Sequence, residues 1–469
     1  MESLTTNTEI ERQKALVYSE QPEIKLVSPC KLNDGVIRHS TFEQKKYVVK
    51  FSKSNSKVEF FIPASGSGSR MFQFLYDFLE EPTEENRSKT EKFLNAIEEF
   101  AFFELLPFNF KEKVREYDIN LDEFVAYLLK DEGLGLGSLP KGLLPFHRSR
   151  SFILNAFQEQ FLQGLRLKEQ NLKFHFTINE TFEEKIRQSL DSIQLLTGRT
   201  SDITCSTQNP STDAVAFDQD KKAIIKPDGN ILTRPSGHGA LLENLNSLTS
   251  DIIFIKNIDN IQHESKAETS VENFRYLGGL LQVFREELTQ VYESKDKNKK
   301  LEELNNEYQF LDKSTDFSKF TDEEIISLIN KPSRVCGMVR NEGQPGGGPF
   351  WVEENGSRSK QIVEKSQIKM KGEQYRLMVQ SQYFNPVLMA ISTNDLNGKK
   401  INLIDYADHS KYFIVNKKFE GQPIKYMERP GLWNGSMAEW LTIFVEVPSQ
   451  TFTPVKTVLD LLDEAHEEG

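Results

Sequence analysis

Phe60-Phe61-Ile62-Pro63-Ala64-Ser65-Gly66-Ser67-Gly68-Ser69-Arg70-Met71-Phe72 joins a short apolar run, fed by Val58, to a loop of small residues that ends on a cation. The apolar run predicts a buried strand, and a buried strand delivers the loop after it to the carboxyl edge of a sheet, where open α/β folds bind ligands. Side chains this small let backbone N–H groups approach phosphate oxygens, and the serine hydroxyls add donors. Arg70 supplies a charge that persists at any relevant pH and can engage two phosphate oxygens at once. The same composition also suits a flexible turn. The loop is not a P-loop, because no Gly-Lys-Ser/Thr follows, and its glycines are not spaced as in a dinucleotide fold.

The 469 residues are enough for one large α/β domain with insertions, or for two to three smaller units. Lysine and arginine number 58 against 70 aspartates and glutamates, and the resulting charge of −12 argues against nucleic acid or an acidic membrane as partner. A local basic site for a phosphorylated small molecule remains compatible with that balance. Cys30, Cys205 and Cys336 are few, odd in number and widely spaced, which fits a reducing compartment and core thiols and gives no zinc pattern. Residues 1–20 are polar and acidic without a basic-then-apolar signal, and no apolar run reaches membrane-spanning length. A cytoplasmic, soluble protein is expected.

Residues 1–57 read as a lead-in, with a short helix at 9–18 and then irregular chain with extended pieces such as 46–51. After the loop, 74–79, 91–106 and 121–129 carry apolar residues at helical spacing, and their phenylalanines read as core. A second glycine-rich turn leads into Leu139-Pro140-Lys141-Gly142-Leu143-Leu144-Pro145. A lysine between two prolines is presented by a stiff loop, and a surface turn reads equally well. Helix at 151–165, strand at 173–178, helix at 180–192 and strand at 202–207 make a βα alternation. Gln208-Asn209-Pro210 and an apolar patch at 223–225 follow, and Ser236-Gly237-His238-Gly239 then opens a helix running through 248. Gly237 and Gly239 permit close ligand approach.

Residues 251–256 form a fully apolar-cored strand, with Asn257-Ile258-Asp259-Asn260 at its carboxyl end. That is where a metal-binding carboxylate belongs, and also where an Asx-type turn cap is common. Residues 262–330 read as a charged helical layer. Strands are expected again at 335–339, 350–352, 361–368, 383–389, 400–404 and 443–447, with a glycine-rich segment at 343–348 and a closing helix to 462. Trp433 and Asn434, on a Pro/Gly turn, either shape a pocket or pack as core.

Arg70, Lys141 and Lys456 on loops, with Asp259 as a metal ligand beside glycine turns, are the inventory for handling a nucleoside triphosphate, because phosphoryl and nucleotidyl transfer need mainly charge neutralisation and alignment. At this point the chain resembles the sugar-1-phosphate nucleotidyltransferases, most closely the UDP-N-acetylhexosamine pyrophosphorylases, over approximately 60–462. Pro63 through Arg70 is similar to that family's small-residue loop ending in Gly-Thr-Arg, and Pro140-Lys141-Gly142 to its Pro-Lys-Gly segment. Asn257-Ile258-Asp259-Asn260 resembles Val-Asp-Asn, and Ile362-Val363-Glu364-Lys365-Ser366-Gln367 resembles Val-Val-Glu-Tyr-Ser-Glu. Phe384-Asn385 resembles Phe-Asn, and Phe452-Thr453-Pro454-Val455-Lys456 resembles Phe-Ser-Pro-Leu-Lys. The order also resembles a bacterial branch catalogued as a domain of unknown function.

The resemblance implies a Rossmann-like, GT-A-like α/β fold with a mixed sheet flanked by helices, a catalytic domain at 58–462 with helical insertions near 73–131 and 262–330, and a tail at 463–469. It implies that Ala64, Ser65, Gly66, Ser67, Gly68 and Ser69 cradle phosphate, that Arg70 holds the β- and γ-phosphates, and that Lys141 serves the α-phosphate region. Lys456 would grip the sugar phosphate and Asp259 bind Mg²⁺. Gln208, Gly237 and Gly239 fall to the nucleotide, and His238, Glu364 and Asn385 to the sugar. The implied reaction joins an NTP, UTP favoured, to a sugar-1-phosphate and releases pyrophosphate. A glycosyltransferase, or a catalytically silent nucleotide- or sugar-binding protein, are the alternatives. Three departures stand out: a long helical stretch separates Arg70 from Lys141, His238 replaces the family's usual asparagine, and Pro386 follows Asn385.

Overall fold

The computed structural model describes residues 7–20, 23–168, 170–343, 347–354, 356–368 and 371–468, so part of the glycine-rich segment, 344–346, lies outside the described residues. The expected α/β class is borne out: strands in a large mixed sheet are flanked by helices. The chain divides into two compact units, each assembled from three segments. One holds residues 1–59, 208–255 and 273–449; the other holds 60–207, 256–272 and 450–469.

In the first unit, Ser333–Arg340 is the central strand. It runs parallel to Leu441–Glu446 and antiparallel to Leu388–Ser392. These strands are apolar on both faces, with Val335, Ile391, Ile443 and Phe444 fully buried, the pattern expected where both faces are covered. One of the covering elements corrects the sequence reading. Residues expected to be irregular or extended form the helix Thr41–Lys53. Its start is a capping box: the Ser40 hydroxyl accepts from the Glu43 amide (3.3 Å), and Glu43 Oε2 accepts from the Ser40 amide (2.7 Å). The helix packs on Glu268–Glu293 through Gly279, where a Cβ would lie 2.0 Å from the Tyr47 carbonyl oxygen.

A second correction concerns 400–404, expected as a strand, where the backbone instead makes the 3-10 turn Leu403–Tyr406. The hairpin Phe413–Phe419/Gln422–Glu428 went unread in the sequence. Its turn, Glu420-Gly421, has φ of 48° and 79°, the positive values that two-residue hairpins favour.

In the second unit, Leu172–Thr177 and Asp202–Ser206 are parallel neighbours, joined by the helix Glu183–Thr197. The last four residues of Val58–Pro63 enter this unit, where the Phe60 ring stacks on Phe174 (5.5 Å) and Phe61 on His175 (5.7 Å). Between Arg70 and Lys141 lie the helices Gln73–Glu80, Glu84–Asn95, Phe108–Arg115 and Leu121–Leu129. Their phenylalanines are core, as expected: Phe93, Phe100, Phe102 and Phe124 are buried and the first three pack ring on ring. All three cysteines are free thiols, Cys30 and Cys336 buried and Cys205 half-buried. Among the described residues no helix is long and apolar enough to cross a membrane.

Candidate active site

In the second unit the small-residue loop leaves its strand where the Ala64 amide bonds to the Thr177 carbonyl (2.8 Å), at the carboxyl ends of neighbouring strands. The four helices that follow Arg70 return the chain to this loop. The Lys141 amide bonds to the Gly66 carbonyl and the Gly68 amide to the Leu139 carbonyl, both at 3.1 Å. Gly68 makes this possible, since a Cβ there would come 2.7 Å from the Leu139 oxygen and 2.9 Å from Leu144. Ser65, Gly66 and Ser67 are exposed, and the Ser67 and Ser69 hydroxyls bond to each other (2.9 Å). Arg70 is exposed, and its side chain has no hydrogen bond or ion pair among the described residues.

Lys141 reaches past the loop to Asp259, its Nζ 2.7 Å from Oδ2. Lys456 meets the same oxygen at 3.0 Å. The turn carrying Asp259 is built to hold that position. Gln160 donates to the carbonyls of Asn257 and Ile258 (3.2 and 3.3 Å), and the Val455 amide bonds to the Asp259 carbonyl (2.9 Å), bringing Lys456 alongside. Asn260 ties the final segment down by accepting from the Thr453 amide (3.0 Å) and donating to the Thr451 carbonyl (3.2 Å).

Burial alone would raise the Asp259 carboxyl, but Lys141 and Lys456 hold it below its ordinary value. Burial pushes the Lys141 amine down, against the pull of Asp259, and Lys456 adds to the push. The carboxylate is therefore ionised and flanked by two cations, one 13% and one 54% exposed. Among the described residues no group of three or more His, Cys, Asp or Glu side chains is placed to hold a metal ion.

The first unit gathers a different set. Gly237 has φ +69°, a left-handed value suited to glycine, and a Cβ on Gly239 would fall 2.0 Å from the Pro430 carbonyl oxygen. The backbone thus passes tightly over residues 430–431, and His238 lands face to face with Trp433, ring centroids 4.1 Å apart. The Leu432 amide donates to His238 Nδ1 (2.9 Å), which leaves the ring proton on Nε2, 3.8 Å from Glu364 Oε1. Burial would raise the Glu364 carboxyl, but His238, Asn434 and Trp433 hold it below its ordinary value.

Asn385 is buried, and its side chain is used locally, accepting from the Val387 amide (3.1 Å). Its own amide bonds to the Gly347 carbonyl (2.8 Å), and Gly347 packs against Glu364, so Asn385 stands one residue removed from that carboxylate. Gln208 donates to Thr212 (3.3 Å) and Asp213 (3.2 Å) within its own turn.

Two further residues of this set were not singled out in the sequence. Arg334, fully buried, donates to the Trp433 carbonyl (2.7 Å) and to Thr442 Oγ1 (2.9 Å), fixing the 430–435 loop from beneath. Glu428 ends the hairpin strand next to Gly237, where a Cβ would come 2.4 Å from Glu428 Oε2. A single charged residue at the end of an amphipathic strand carries no local signal that could have found it.

A protein-family profile described as Domain of unknown function (DUF4301) matches residues 1–467. No curated protein matches. Among solved structures, the chain is similar to one described as a UDP-N-acetylglucosamine pyrophosphorylase from Entamoeba histolytica, at 13% identity over 94% of this chain and 84% of that one, TM-score 0.47. It is similar to a UDP-glucose phosphorylase from Trypanosoma brucei at 14% identity, 97% and 72% coverage and TM-score 0.47. A mutant UDP-glucose pyrophosphorylase from Leishmania major in complex with UDP-glucose matches at 12% identity, 96% and 73% coverage and TM-score 0.45.

Proposed function

The chain belongs to the DUF4301 family, and we propose that it is a nucleotidyltransferase that makes an NDP-sugar and pyrophosphate from an NTP, UTP favoured, and a sugar-1-phosphate. One observation carries the reading: the Lys141 and Lys456 ammonium groups converge on Asp259, from 118 and 197 residues away, beside the small-residue loop. An ordinary surface ion pair needs no such assembly, whereas a site for a triphosphate and a phosphate monoester needs charge delivered from several directions.

In this reaction an oxygen of the sugar-1-phosphate attacks the α-phosphorus, the bond from that phosphorus to the bridging oxygen breaks, and pyrophosphate leaves with the bond electrons. The exposed loop amides and Arg70 take the β- and γ-phosphates, Lys141 the α-phosphate and Lys456 the attacking phosphate. The lysines are held on Asp259 until phosphate oxygens compete for them, so they are placed before substrate arrives and need little reorganisation. Asp259 fits Mg²⁺ in the mode in which one carboxylate anchors the ion and water and phosphate oxygens complete its shell; bound there, the ion would neutralise charge on the triphosphate.

On this reading the catalytic region is 58–462, with insertions near 73–131 and 262–330. Ser65, Ser67 and Ser69 add donors to the phosphates. Gln208, Gly237 and Gly239 take the nucleotide, and His238, Glu364 and Asn385 the sugar.

Pyrophosphate release measured with Mg²⁺ across a panel of NTPs and sugar-1-phosphates tests the reading. Release should require one member of each class and fall about 100-fold in Lys141→Ala. Folded protein that binds nucleotide without release across the panel would make this a silent binder.

A further inference from the structure

Glu364 and Glu428 both border His238 in the first unit, yet their surroundings differ. Glu364 lies 3.8 Å from His238 Nε2, and the nearby His238, Asn434 and Trp433 hold its carboxyl below its ordinary value. Glu428 is half-buried, and its carboxylate has no hydrogen-bond or ion-pair partner among the described residues. A carboxylate withdrawn from water without a donor is costly, and the cost shows in its chemistry. Burial pushes the Glu428 carboxyl up and the nearby Glu364 charge adds to this, while His238 and Lys417 oppose it. The side chain is also held in place. Gly237, at φ +69°, leaves room for Oε2 where any Cβ would collide at 2.4 Å, and Tyr426 and Met427 just before it are buried in the core.

We propose that Glu428 contacts the substrate directly, accepting a hydrogen bond from a hydroxyl or ammonium donor on the sugar ring, and that with Glu364 it selects sugars presenting donors at two positions. The inference rests on the nucleotidyltransferase reading for the identity of the ligand as a sugar phosphate, and on the undonated carboxylate for the contact. The neighbourhood suits that class. Two carboxylates supply acceptors, His238 Nε2–H is directed at Glu364, and the Trp433 ring adds an apolar wall. A deoxy position facing Glu428 would leave the carboxylate buried without a donor, a penalty of the kind that lets polar pockets reject analogues.

The test is Glu428→Gln, which keeps shape and removes charge, assayed with glucose 1-phosphate, glucosamine 1-phosphate and N-acetylglucosamine 1-phosphate. KM for the accepted sugar phosphate should rise by about tenfold or more, because hydrogen bonds to charged groups are the stronger kind, while KM for the NTP stays within about twofold. A hydroxyl donor predicts equal losses for the glucose and glucosamine esters; an ammonium donor predicts a larger loss for glucosamine 1-phosphate. An unchanged KM for sugar phosphate overturns the proposal and leaves the reaction standing.

Should wild type release no pyrophosphate, calorimetric titration of the same three esters separates the questions. Tighter binding to wild type than to Glu428→Gln still supports the contact, and equal binding or none refutes it. Glu428→Asp, which keeps the charge and shortens its reach, serves if the glutamine variant does not fold, with the same loss expected.

Discussion

Asp259 has a structural task and, on the proposed reading, a second one in the reaction, and a single substitution probes both. As the counter-ion of Lys141 and Lys456 it stabilises the second unit, and as the proposed metal anchor it serves the reaction. Because its folded carboxyl lies below the ordinary value, the stabilisation is present above the unfolded range and is lost as pH falls through the folded value. Asp259→Asn keeps the shape but leaves Lys141, only 13% exposed, against a neutral amide, at a cost of about 1–3 kcal/mol. Thermal unfolding should show that loss near neutral pH and a flatter acid limb, and the Mg²⁺ dependence of turnover should weaken. A variant as stable as wild type with an unaltered metal titration contradicts both roles. The residue types were legible in the sequence, because Gly-Ser loops and lysines between prolines are local patterns. Their convergence was not: no rule of spacing links Lys141, Asp259 and Lys456. Glu428 and Arg334 were invisible for a related reason, since a lone charge in a strand acquires meaning only from what it faces after folding.

At the scale of elements, local signals compete and the weaker-looking one can win. Residues 46–51 read as extended because Tyr47-Val48-Val49 favour strands, yet Ser40 and Glu43 close a capping box six residues before them and Gly279 lets the helix seat on its neighbour. The 413–428 hairpin is not legible although Glu420-Gly421 is a turn pair, because its strands mix lysines with isoleucines and aromatic residues. The final segment is held by a contact that no motif announces. His466 Nδ1 lies 2.9 Å from His147 Nε2, and His147 Nδ1 lies 2.6 Å from Glu159, all buried. Burial pushes both His147 and His466 down to about 3 from 6.5. The unfolded chain therefore takes up protons first, and stability is lost as pH falls below about 6.5 toward the folded values, by up to about 1.4 kcal/mol per pH unit per imidazole. His466→Gln removes one of these imidazoles and should reduce the slope between pH 7 and 5 by up to about 1.4 kcal/mol per pH unit. An unchanged slope in chemical unfolding would mean that this pair does not anchor the segment that carries Lys456.

For the whole molecule, the sorting of residues is more informative than any one of them. The set proposed to handle phosphate, 64–70, Lys141, Asp259 and Lys456, falls entirely in the unit built from 60–207, 256–272 and 450–469. Gln208, Gly237, His238, Gly239, Glu364 and Asn385 fall entirely in the other. Each set is drawn from segments that the chain visits in alternation, so a motif order that looks linear is a record of repeated passage between two units. This division predicts how fragments of the substrate should act. Pyrophosphate with Mg²⁺ lacks base and sugar, so it should slow amide hydrogen exchange at Gly66, Ser67, Gly68 and Lys141 while leaving residues 237–240 and 431–436 unchanged. Amides already bonded within the fold, such as Gly68 to Leu139 and Lys141 to Gly66, exchange only by local opening, so their protection reports stabilisation of the loop, whereas Ser67 reports direct cover. Protection confined to the 237–240 segment, or none at Ser67 at saturating pyrophosphate, would place the phosphates outside the loop, and the convergence of Lys141 and Lys456 on Asp259 would then be a partly buried structural ion cluster that stabilises the turn and takes no part in transfer.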